Sequence, residues 1–180
     1  MSQQALLVMD VQSVVVDRYP DPGYLPRLRG AIDAARSAGV PVIYAVVGFR
    51  PGAPEVSTRN KMFGRLAGRA GGDEGTGIHP DVAPQAGDAV VVKRRVSAFA
   101  GSDLDMLLRA QGIGHLVLTG IATSGVVLST LRQAADLDYV LTVLADACLD
   151  ADPEVHRVLT GKVFPQQADV TTVAGWAAVK

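Results

Sequence analysis

The chain has 180 residues, 48% of them hydrophobic and 19% charged, with 17 basic and 18 acidic side chains mixed along its length for a net charge of -1. A chain of this size buries roughly 70% of its unfolded surface, enough for one core, and a single domain over residues 1–180 is expected. The balanced charge excludes a basic nucleic-acid face or a membrane-binding tail. The lone cysteine, Cys148, excludes an intrachain disulfide or a cysteine-cluster metal site. No apolar run reaches the ~18 residues of a membrane helix, and the start of the chain lacks the basic-then-apolar order of a leader. A cytoplasmic protein acting on small molecules is expected, with no nucleic-acid or membrane partner.

The first apolar run, Ala5 to Val11, contains Asp10 near its end and predicts a strand. A helical stretch from Tyr24 to Ser37 follows, and Ala38-Gly39-Val40-Pro41 supplies a stop and an extended entry to a second strand, Val42 to Val47. From Gly48 to Gly87 the chain is rich in glycine and proline, with apolar character only around Met62 to Leu66, and reads as a long functional loop or lid. Its Gly64-to-Gly77 stretch has no Gly-Lys-Ser/Thr after it, and no Gly-x-Gly-x-x-Gly follows any strand, which argues against nucleotide binding.

Alternation then resumes. A strand is expected at Ala89 to Val92, a helix at Ser102 to Gln111 with Ser102 as its cap, and a strand at His115 to Thr119. A helix from about Ser124 to Leu137, a strand from Tyr139 to Leu144, a helix opened by Asp152 and Pro153, and a short strand at Asp169 to Val173 complete the series. Short Val/Leu/Ile-rich strands without polar alternation, separated by helices, predict a doubly wound α/β fold with a six-stranded parallel sheet buried on both faces.

In such sheets ligands bind beyond the carboxyl ends of the strands, where the strand order reverses. Asp10, Lys93 and the turn Gly120 to Gly125 all fall at such ends. A carboxylate emerging from an apolar strand is pushed up in pKa and an ammonium nearby pulls it down, so the pair is tunable for proton transfer. The alternative is a loop-capping aspartate with a neutralising lysine. The turn offers backbone N–H groups for an oxyanion, or is an ordinary turn with Thr123 or Ser124 as helix cap. Arg94 and Arg95 are candidates to hold a substrate carboxylate, although a solvated role suits at least one of them. Phe49, Arg50 and Phe99 are candidate walls for a small planar ligand; aromatic residues in such segments also serve as core. His79, His115 and His156 lie in separate elements without metal-ligand spacing, so neither a metal nor any other cofactor is expected. Trp176 is expected to pack against the body of the protein or a neighbouring subunit.

Five segments in order carry a resemblance: Leu6-Leu-Val-Met-Asp10-Val-Gln12, Val92-Lys93-Arg94, Leu118-Thr-Gly120-Ile-Ala-Thr123, Ser129-Thr130-Leu-Arg132 and Ala145-Asp146-Ala147-Cys148. Together they resemble the isochorismatase-like hydrolases, also called the cysteine hydrolase family. The resemblance implies a Rossmann-like three-layer α/β/α fold, assembly as a homodimer or larger homo-oligomer, and an Asp-Lys-Cys triad. Asp10 and Lys93 fall on its first two positions, and a cis peptide is implied between Ile121 and Ala122. Gln12, Ile121, Ala122, Ser124, Gly125 and Val126 fall on segments that border the substrate. The nucleophile's place, counted from Gly120 with Thr130 in register, is Val126, which cannot form a covalent adduct. The loop after the second strand, Gly48-Phe49-Arg50-Pro51-Gly52, lacks the family's metal-binding Asp-x-His pattern.

Three readings follow. The first is a hydrolase that needs no thiol, in which Asp10 protonates a substrate such as a vinyl ether and Lys93 balances its charge. In the second, Cys148 is a displaced nucleophile of an amidohydrolase, set against a buried structural role for the same thiol. The third is a binding or assembly protein that keeps the fold without the chemistry.

Overall fold

The computed structural model describes residues 3–68 and 77–179. Six strands form one sheet in the order β3-β2-β1-β4-β5-β6, and every neighbouring pair runs parallel. The strands are β1 (Gln3–Met9), β2 (Val42–Val47), β3 (Ala89–Lys93), β4 (Ile113–Ile121), β5 (Val140–Leu149) and β6 (Asp169–Thr171). The helices are α1 (Ser13–Val16), α2 (Tyr24–Ser37), α3 (Leu104–Ala110), α4 (Leu128–Asp136), α5 (Pro153–Val158) and α6 (Val173–Ala177). The chain winds outward from β1 to β3, crosses back, and winds outward again from β4 to β6. Strand order therefore reverses between β1 and β4, which opens a crevice at their carboxyl ends.

Both faces of β1 are buried, and its side chains alternate between two cores. Ala5, Leu7 and Met9 pack with Leu104, Leu108 and Leu131 of α3 and α4. Leu6 and Val8 pack on the other face with Leu28, Ile32 and Trp176 of α2 and α6. This is why the central strands read as unbroken apolar runs. Helix α2 contributes Tyr24, Leu28, Ala31, Ile32 and Ala35, one stripe at helical spacing. It stops where Gly39 turns to a φ of 67° and the Val40 N–H donates back to the Ala35 carbonyl at 2.9 Å.

Several boundaries differ from the expected ones. Strand β1 ends at Met9 rather than Val11, because Asp10 takes a φ of 55° and turns the chain aside. Helix α3 begins at Leu104, two residues after Ser102, whose hydroxyl still accepts from the Leu104 N–H at 3.2 Å. The helix expected from Ser124 opens with a widened turn over Thr123–Val127, in which Gly125 leaves helical geometry, and regular helix starts only at Leu128. Strand β5 runs five residues past its expected end at Leu144. Its register against β4 jumps from Leu118↔Val143 to Gly120↔Cys148, so the residues from Leu144 to Ala147 bulge out of the ladder.

Of the expected lid over 48–87, residues 69–76 lie outside the described residues, including most of the Gly64-to-Gly77 stretch. The described part carries short turns at Gly64–Leu66 and Pro80–Val82, and Ile78 bridges Gln12. Arg94 and Arg95, just after β3, donate to the carbonyls of Gly48 and Glu55 and tie this segment to the sheet. Among the described residues no helix is long and apolar enough to cross a membrane.

Candidate active site

Asp10 follows directly on β1, and its left-handed backbone is one that aspartate tolerates better than most residues. Its N–H donates to the Ala45 carbonyl of β2 at 2.8 Å, which fixes it at the edge of the crevice. Lys93 is the last residue of β3, beside Val47 of β2. Its long side chain reaches past the end of β2 to place Nζ 2.9 Å from Asp10 Oδ2, and it donates also to the Arg95 carbonyl at 2.9 Å. The lysine side chain is 1% exposed and the aspartate 13%.

Burial is the main influence on both groups. It raises the Asp10 carboxyl to about 6, against the opposing charge and hydrogen bond of Lys93. It lowers the Lys93 ammonium, again against the pull of Asp10. Asp10 Oδ1 is buried with no group in hydrogen-bond geometry, and the Val47 N–H lends only a small favourable dipole. A desolvated carboxyl with one oxygen held by a cation and the other unengaged can carry a proton near neutral pH.

Around this pair lies a cavity of about 160 Å³. Ile121, Ala122, Gly125 and Val126 line one side, Met62, Phe63 and Val96 another, with Tyr19 and Val47 completing the wall. The Ile121–Ala122 peptide is cis, as the resemblance implied. Gly120, just before it, has a φ of 141°, and a Cβ there would lie 2.3 Å from the Met9 carbonyl oxygen. Only glycine lets β4 approach β1 so closely at the reversal point. Val126 is 1% exposed and presents an aliphatic side chain where the widened turn meets the cavity.

A family model described as the isochorismatase domain matches residues 4–175. The chain belongs to the isochorismatase family. It is 36% identical to the ureidoacrylate amidohydrolase RutB of Stutzerimonas stutzeri, an alignment covering 98% of this chain and 79% of that protein. Among solved structures, an isochorismatase family protein from Burkholderia thailandensis superposes with a TM-score of 0.86 at 30% identity, over 98% of this chain and 94% of that one. N-carbamoylsarcosine amidase from Thermoplasma acidophilum superposes with a TM-score of 0.75 at 29% identity, over 95% of this chain and 96% of that one.

Within this isochorismatase-family fold the residues singled out from sequence separate into two groups. Asp10, Lys93, Ile121, Ala122, Gly125 and Val126 meet at one cavity. The others stand elsewhere. Gln12 is buried and clamps the end of β2, its amide donating to the Val47 carbonyl and accepting from the Val47 N–H, each at 3.0 Å. Phe49 packs on Phe63 with ring centroids 5.4 Å apart, so it backs the cavity wall rather than forming it. Arg50 is exposed on Glu55, and Phe99 belongs to the core beside Tyr139. The Ser124 N–H donates to Asp150, and its side chain faces solvent.

Cys148 is paired in register with Gly120 but is 3% exposed, with Sγ 3.9 Å from the Leu118 carbonyl. Burial pushes its thiol up to about 12, the reverse of what a nucleophile needs. It does not line the cavity of Asp10 and Lys93. The residues of the cavity that sequence reasoning missed are Tyr19, Val47, Met62, Phe63 and Val96. The apolar pair Met62-Phe63 in a polar, glycine-rich segment was the available signal. Among the described residues no three His, Cys, Asp or Glu side chains gather to hold a metal ion.

Proposed function

We propose that this protein is a small-molecule hydrolase in which Asp10 transfers a proton and no covalent enzyme adduct forms. The observation that carries the reading is the Asp10 carboxyl at the wall of the cavity: raised to about 6 by burial, held on one oxygen by Lys93, and with the other oxygen buried and without a hydrogen-bond partner. With Val126 in the widened turn and Cys148 buried outside the lining of this cavity, its thiol raised to about 12, nothing at the cavity offers a thiolate. A substrate suited to such a site is a vinyl ether. Protonated Asp10 gives its proton to the alkene carbon, the resulting oxocarbenium ion takes up water, which returns a proton to the Asp10 carboxylate, and the hemiketal collapses to a ketone and an alcohol. Lys93 balances the carboxylate left behind, and the cavity supplies orientation. Met62 and Phe63, from the segment that Arg94 and Arg95 tie to the sheet, wall the site.

The test is a paired assay with isochorismate as the vinyl ether and ureidoacrylate and N-carbamoylsarcosine as amides. Cleavage of the ether alone, lost in Asp10→Asn and kept in Cys148→Ser, is the expected result. Amide cleavage that disappears in Cys148→Ser would overturn it. A second reading, a ligand-binding protein without turnover, is supported by the same aliphatic Val126. It predicts that none of these compounds is consumed while a bound one raises the melting temperature.

A further inference from the structure

The cavity at Asp10 and Lys93 is small. At about 160 Å³ it is well below the ~300–1,000 Å³ that encloses a typical small-molecule ligand. Beside it, at the carboxyl end of β5, is a second pocket of about 550 Å³. The two share one wall residue, Tyr19. Their floors are neighbours on the sheet: Ile121 of the first pairs in register with Leu149 of the second, and adjacent strands lie ~4.8 Å apart. The bulge in β5 that turns Ala145 and Asp146 out of the ladder opens this second space.

We infer that the two cavities are the halves of one bipartite substrate site, with the reacting head beside Asp10 and a larger tail past Tyr19 in the β5 pocket. This rests on the reading of the small cavity as the reacting site. The lining of the large pocket sets the chemistry of the tail. Its body is apolar, from Pro20, Leu149, Ala151 and Pro153, and Cys148 borders it with a thiol that burial keeps protonated. Its charged groups are Arg18, Asp21, Arg27, Asp146 and Asp150, together with His156, whose burial lowers its pKa and favours the neutral ring. Arg27 is consumed internally, by Asp21 at 2.6 Å and the Asp146 carbonyl at 2.7 Å. Asp146 accepts the Val173 N–H on one oxygen, whereas Asp150 accepts the Ser124 N–H on Oδ2 and, at 3.4 Å, the Asp152 N–H on Oδ1; each carboxylate keeps lone pairs for a further donor. Two carboxylates against the single exposed guanidinium of Arg18 favour a tail with an apolar body and a donating, cationic end. An anionic tail is disfavoured.

The pocket is also tied to the catalytic turn. His156 Nδ1 lies 2.8 Å from the Thr123 hydroxyl, and Asp150 holds Ser124, so the pocket's wall and the turn from Ile121 to Val126 form one bonded unit.

The experiment is calorimetric titration of the full chain with methylurea, 4-methylbenzylamine, and a series of ureas joined to a 4-(aminomethyl)phenyl group by one to four methylenes. It reads binding, so the absence of turnover, which would count against the proposed reaction, leaves it intact. At least one linked compound should bind more than about ten-fold tighter than either fragment, the signature of simultaneous engagement. That gain should vanish in Ala151→Trp, a rim substitution that fills the large pocket, and fall in Asp146→Asn, which keeps the bond to Val173 but removes the charge. Wild-type protein that binds every linked compound no better than the fragments, or a gain that survives both substitutions, would overturn the inference. So would amine binding that is indifferent to saturating methylurea with no linkage gain, which marks a separate effector site.

Discussion

The carboxyl ends of β1 and β5 flank the same strand, β4, and each carries a group able in principle to do chemistry. Gly120 pairs with Met9 on one side and Cys148 on the other. Yet burial acts on the two in opposite functional senses. It raises Asp10 to about 6, into the range where a carboxylic acid exchanges protons near neutrality, and raises Cys148 to about 12, out of the range where a thiol is ionised. The difference is the neighbour: both border a cavity, but Asp10 has the Lys93 ammonium at 2.9 Å, whereas Cys148 has only the Leu118 carbonyl and the apolar core around its thiol. Position at a strand end beside a cavity is therefore insufficient; a reactive group also needs a counter-charge.

The most severe test of that contrast is to exchange the reactive atoms. Asp10→Asn should lower turnover by about 10²- to 10⁴-fold, the usual contribution of a positioned acid or base, in a steady-state assay. Next in size, Lys93→Met strands a buried carboxylate and should cost about 3–5 kcal/mol in a denaturation experiment at pH 8. The sign of its pH dependence follows from Asp10. A carboxyl raised in the folded state favours folding most when protonated, and that contribution fades as pH climbs from the unfolded value near 3.8 through about 6. The Lys93→Met defect should therefore shrink on acidification from pH 8 to 5. Gly120→Ala forces a Cβ against the Met9 carbonyl at a positive φ and should cost about 2–4 kcal/mol, measured the same way, because both strand ends hang on that close approach. The smallest effect is expected of Cys148→Ser: about 1–2 kcal/mol for a hydroxyl in an apolar setting, with turnover unchanged.

Much of the frame was legible in the sequence. The helix from Tyr24 to Ser37 ends, and the strand from Val42 to Val47 begins, where Gly39 and Pro41 dictate, because local signals there agree with the tertiary fold. Asp10 and Lys93 were found from the rule that parallel sheets bind at strand ends, and their meeting required no further information. The rest depends on long-range geometry. The bulge in β5 shows no local signature, and the expected strand stops at Leu144, short of Ala145, Asp146 and Ala147. Tyr19 reaches the cavity from the connection between α1 and α2, and its role emerges only when that connection folds over β1. Gln12 and Phe99 fell on plausible positions, but the first is spent on the Val47 backbone and the second on the core.

On the proposed reading, the fold holds the Asp10 carboxyl near neutrality as a proton carrier. That reading is tested most directly by a pH titration of the carboxyl carbon in ¹³C-aspartate-labelled protein, with the Asp10 resonance assigned by its loss in Asp10→Asn. A midpoint near 6 is the result expected from its burial beside Lys93. A midpoint at or below about 4, the ordinary range of an aspartate, would show that the ion pair simply stabilises a permanent carboxylate and would contradict the account.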